Sequence, residues 1–85
     1  MEIEFFADAL TDLDFWKKSG NKVIQKKLDK LFLALLENPY EGIGKPEALK
    51  YDLSGRWSRR INSEHRMIYE VRGKLIKIFS LRGHY

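Results

Sequence analysis

Ile24, Leu28, Leu31 and Leu35 recur at helical spacing, and Phe32 and Leu36 widen the stripe they form. Lys22, Lys26, Asp29 and Lys30 take the opposite side. A period near 3.6 predicts an amphipathic helix with one buried face. Pro39 stops it, because proline disfavours helical geometry in the preceding residue, Asn38. Upstream, Leu10, Leu13 and Trp16 predict a shorter helix, with Asp8 capping it by accepting the backbone N–H of Thr11. Ser19-Gly20-Asn21 separates the two helices, and Ser19 or Asn21 caps the second. Ahead of both, Ile3–Phe6 is short and apolar and predicts a first strand.

The pattern changes after the loop Tyr40–Pro46. Short strands are predicted at Glu47–Tyr51, Trp57–Ile61, Arg66–Val71 and Leu75–Leu81. Ser54-Gly55, Asn62-Ser63 and Arg72-Gly73 supply tight turns between them, which points to an antiparallel meander. The expected fold is α+β: an N-terminal helical hairpin on a twisted, mainly antiparallel sheet of four to five strands. One domain spans residues 1–85, and one sheet face is left free to bind.

Charge sharpens this. The net value of +4 is unevenly spread. From Gly44 onward ten Lys and Arg face four acidic residues, giving +6, and the first 43 residues carry −2. Arginine dominates the basic half, and its planar fork suits phosphate. The expected partners are nucleic acid or an acidic protein; the alternative is a solvated face that keeps the chain soluble. There is no cysteine, and the two histidines are far apart in sequence, so chemistry without a metal or cofactor is expected. No stretch reaches the ~18 apolar residues that span a bilayer, and the N-terminus lacks the basic start of a signal peptide, so the expected location is cytoplasmic.

Candidate chemistry lies in the basic half. Gly42-Ile43-Gly44-Lys45 is not a phosphate loop: its spacing is wrong and proline follows the lysine. Strand alternation places Arg60 with Ser58, and Arg59 with Trp57 and Ile61. Arg60 and Arg66, on strands joined by a short turn, can meet on one face as a phosphate clamp, or stand as two solvated cations. Glu47 and Lys50 follow the loop, where strand-edge charges are the alternative reading. His84 ends the chain with Tyr85. One carboxylate, several cations and an imidazole suit metal-free RNA cleavage, in which a base deprotonates the ribose 2′-hydroxyl and an acid protonates the departing 5′-oxygen. His65 is read as structural, at the 62–65 turn.

Four segments together resemble the YoeB-type (Txe/YoeB) toxins of the RelE/ParE superfamily, which are bacterial ribosome-dependent mRNA endonucleases. They are Gly42–Lys50, Leu53–Ile61, Glu64–Tyr69 and His84-Tyr85. The resemblance covers nearly the whole chain and implies the RelE-like microbial RNase fold. It also implies Glu47 as general base, His84 as general acid and Arg66 as the cation on the scissile phosphate. Lys50 and Arg60, with Arg59, match RNA-binding positions, and Tyr85 matches a residue that positions the substrate base. The implied partners are the ribosome with its mRNA and a YefM-like antitoxin from a neighbouring gene, through which promoter DNA is bound. A second copy of the chain is a further candidate partner. Ala48 and Gly83 depart from the family pattern. The rival readings are a ParE-like toxin acting on DNA gyrase and a nucleic-acid-binding module whose catalysis has lapsed.

Overall fold

A computed structural model describes residues 1–83. The chain runs β1 (Glu2–Phe5), α1 (Ala7–Ser19), α2 (Lys22–Glu37), β2 (Glu47–Ala48), a 3-10 turn (Tyr51–Leu53), β3 (Trp57–Arg60), β4 (Arg66–Arg72) and β5 (Leu75–Ser80). The strands form one sheet in the order β1-β5-β4-β3-β2. β2 to β5 are an antiparallel meander, and β1 lies parallel to β5 at the edge. The expected α+β architecture is therefore the one observed.

α2 follows its pattern closely. Ile24, Leu28, Leu31 and Leu35 are buried, and the Asn21 side chain caps the first turn by accepting Ile24 N–H at 3.1 Å. Asn38 is extended ahead of Pro39, as proline requires. Leu36 is exposed, so the buried stripe is narrower than the apolar pattern. α1 differs more. Ala9 and Trp16 are its buried residues, and Leu10 faces solvent. Asp8 does not cap this helix. The cap position is Phe6, which has no side-chain cap bond. Sheet pairing sets the start instead: Phe6 N–H donates to Ile78 O, and Phe6 O accepts from Leu10 N–H. Asp8 falls inside the first turn, where its charge favours the helix dipole.

Trp16, Leu28, Leu31 and Leu35 from the helices meet Met67, Tyr69, Ile76 and Ile78 from the sheet, closed by Leu81. Each such burial contributes about 1.5–3 kcal/mol before the entropy of ordering is counted. Alternation then places Ser58, Arg60, Arg66 and Ile68 on the other sheet face. The loop between α2 and β2 is tied to that sheet by Arg60 N–H donating to Gly44 O at 2.6 Å. Gly44 sits at φ +85°, and a Cβ there would come within 2.9 Å of Leu31 Cδ2, so only glycine allows this approach. β2 is shorter than predicted. The pairing ends with Leu49, whose N–H donates to Arg56 O at 2.9 Å, and Tyr51, at φ 57°, turns the chain into the 3-10 segment.

Candidate functional site

Arg60 and Arg66 are direct partners across β3 and β4, and Glu47 pairs with Ser58 across β2 and β3. Because residues two apart on a strand share a face, Glu47, Ser58, Arg60 and Arg66 all lie on the sheet face away from the helices. Strand spacing puts the Glu47 and Arg66 Cα atoms roughly 12 Å apart, a gap two long side chains can span around a nucleotide. Two guanidinium groups on directly opposed residues can take an anion between their forks. Glu47 and Arg60 are exposed and Arg66 is half-buried.

Lys50 follows β2, exposed, and its carbonyl accepts Leu53 N–H at 3.2 Å. It lines a shallow cleft of about 320 Å³ together with Glu47, Leu49, Tyr51 and Leu53. Tyr51 stands almost fully in solvent. Ser58 was not singled out in the sequence. It is fully buried between Glu47 and Ile68 in the sheet, and its hydroxyl has no hydrogen-bond partner among the described residues. Its alternation with Arg60 was the available signal.

Arg59 is not a phosphate ligand. It is fully buried on the helix side of the sheet. Its Nε donates to the Tyr69 hydroxyl at 3.2 Å, its Nη1 to Ile43 O at 3.0 Å, and its Nη2 to Asn38 O and Glu41 O at 2.6 and 2.8 Å. The guanidinium thus organises the loop that leads into Glu47. The Tyr69 hydroxyl joins this network by donating to Pro39 O at 2.6 Å.

Burial pushes the Tyr69 phenol above its usual value of 10.0, and the neighbouring Arg59 opposes that shift in part. The unfolded chain ionises at the usual value while the folded chain holds its proton. Stability is therefore complete below pH ~10 and falls as pH rises from there toward the folded value. Urea midpoints compared at pH 8 and 11 should fall, and Tyr69→Phe should reduce the fall. An identical fall in both proteins would show that Tyr69 is not its source.

His84 and Tyr85 lie outside the described residues. The chain is held firmly up to Gly83, whose carbonyl accepts Arg66 N–H at 2.8 Å. Gly83 has φ +76°, a conformation that favours glycine, so its departure from the family pattern serves a turn. His65, read as structural at the 62–65 turn, bridges it through its backbone: its carbonyl accepts Ile61 N–H and Asn62 N–H at 2.9 and 3.3 Å. Asn62 Oδ1 caps the turn, accepting Glu64 N–H and His65 N–H at 2.8 Å each.

A family model described as the YoeB-like toxin of bacterial type II toxin–antitoxin systems matches residues 5–85. The chain is 44% identical to Toxin YoeB of Synechocystis over 81 residues, covering 91% of this chain and 94% of that protein. A YoeB dimer from Staphylococcus aureus is similar in structure, with a TM-score of 0.89 and 42% identity over 100% of this chain and 98% of that one. The toxin of a YoeB–YefM complex from Staphylococcus aureus gives 0.88 and 44%, covering 98% and 95%.

Proposed function

This chain belongs to the YoeB-like toxin family of bacterial type II toxin–antitoxin systems, and from that premise we propose that it is a metal-independent endoribonuclease that cuts mRNA in the ribosomal A site. One observation carries the reading: an arginine pair in register on the same sheet face as Glu47. Glu47 takes the proton of the ribose 2′-hydroxyl. The 2′-oxygen then attacks phosphorus and the bond to the 5′-oxygen breaks. His84 gives its proton to that leaving oxygen, and Tyr85 positions the substrate base. Arg66, with Arg60 and Lys50, neutralises the phosphate as charge builds on it. The products are a 2′,3′-cyclic phosphate and a 5′-hydroxyl.

A solvent-exposed carboxylate is a weak base toward a sugar hydroxyl. Most of the acceleration therefore comes from orientation and charge neutralisation, with the ribosome holding the substrate in place. A YefM-like antitoxin is the natural inhibitor, since an acidic segment laid over the arginine pair would occupy the phosphate position. Promoter DNA is bound through that complex.

The test is cleavage of mRNA on programmed ribosomes by the purified chain. Cut mRNA with 5′-hydroxyl ends, insensitive to chelator and much slower on naked mRNA, is expected. Growth arrest with intact mRNA, or equal rates on naked and ribosome-bound RNA, would sink this reading.

A further inference from the structure

The described residues after β5, Leu81 to Gly83, belong to no strand, yet four hydrogen bonds hold two of them. Leu81 N–H donates to Asp12 Oδ2 at 2.9 Å, and Leu81 O accepts from Trp16 Nε1 at 2.8 Å. Both partners come from α1. Gly83 N–H donates to His65 Nδ1 at 2.8 Å, and Gly83 O accepts from Arg66 N–H at the same distance. Gly83 is thus gripped on both its polar groups by two consecutive residues at the start of β4. Trp16 also packs edge-on against the His65 ring, with centroids 4.9 Å apart, so α1 supports both the tail and the imidazole that holds it.

A backbone N–H can only donate, so His65 Nδ1 must be an acceptor. Its ring proton then sits on Nε2. That nitrogen faces Glu64 Oε2 at 3.9 Å, beyond hydrogen-bond length, with Glu64 largely in solvent. Only one tautomer of His65 can therefore hold Gly83.

We propose that His65 is a positioning residue: its Nδ1 fixes Gly83, and so the point from which the chain leads on to His84 and Tyr85. This rests on the proposed cleavage reaction for its consequence, though not for its geometry. Without the imidazole acceptor, Gly83 keeps one anchor instead of two. The two residues after it then start from a backbone free to swing about the Arg66 bond. Displacing a catalytic group by about an ångström costs on the order of 10²-fold in rate.

His65→Phe and His65→Asn separate this role from simple packing. Phenylalanine keeps a ring against Trp16 and has no acceptor. Asparagine loses the ring and places Oδ1 where Nδ1 was. Single-turnover cleavage on saturating programmed ribosomes should fall about 10- to 100-fold in His65→Phe, with ribosome affinity kept, and should recover most of its rate in His65→Asn. A wild-type rate in His65→Phe, or equal losses in both variants, would overturn the proposal. A second readout needs no RNA. Two-bond 1H–15N spectra should show Nδ1 unprotonated, and the Gly83 amide should exchange slowly in the wild type and quickly in His65→Phe. Unchanged Gly83 exchange would defeat the proposal whatever the cleavage data. Faster exchange in a protein that cuts no RNA would leave the anchor standing and defeat the proposed reaction instead.

Discussion

Replacing Arg59 with methionine is expected to leave the protein largely unfolded, or destabilised by about 3–5 kcal/mol if it still folds. The side chain fits the space, but its four hydrogen bonds vanish. Three carbonyls of the loop after α2, those of Asn38, Glu41 and Ile43, lose a donor, as does the Tyr69 oxygen. The Tyr69 bond is buried and the other three are partly so, and a buried group left unpaired costs about 1–3 kcal/mol. An 85-residue domain has on the order of 5–10 kcal/mol of total stability to lose. Lysine should not rescue it, because one ammonium with three donors cannot replace a planar fork reaching four acceptors. Urea unfolding followed by circular dichroism measures this. A midpoint shift worth under about 0.5 kcal/mol would show that the loop satisfies itself without Arg59.

Arg59 also marks the limit of what the sequence could say. Arginine is seldom fully buried, so its charge pointed to RNA. Alternation had already grouped it with Trp57 and Ile61, two apolar residues, and apart from Ser58 and Arg60. Only the choice of core face was missing, and that depends on where the helices lie. The same division runs through the fold. α2 was legible because one stripe on one rod decides its burial locally. The meander was legible because its turns carry their own chemistry. The start of α1 was not, because pairing of Phe6 with Ile78, more than seventy residues away, outweighs the local cap signal of Asp8. Nor was the parallel pairing of β1 with β5, for which no turn between them exists to read. Of the site residues, Arg60 and Arg66 share a face, which strand alternation allowed, and the β2–β3 register adds Glu47 to it, with Lys50 at the adjoining cleft.

The register of Arg60 with Arg66 makes the second large effect predictable. Arg66→Ala should lower single-turnover cleavage about 10²- to 10³-fold, the usual loss when one preorganised donor to a developing oxyanion is removed. Arg66→Lys should recover only part of it, since a point charge replaces two parallel donors. Arg60→Ala should cost less, because Arg60 lies farther into solvent and so contributes through a higher dielectric. The double variant then discriminates. If both forks grip one phosphate, removing the second after the first costs less than it does alone, and the two losses fail to add. If each contacts a different phosphate, they add. Binding of a short RNA should show the same distinction through salt. Each lost phosphate contact lowers the slope of log K against log salt by about 0.7 on single-stranded RNA. Wild-type cleavage by Arg66→Ala, with an unchanged salt slope, would remove the arginine pair from the reaction. Glu47 would then have no phosphate on its face of the sheet to work against.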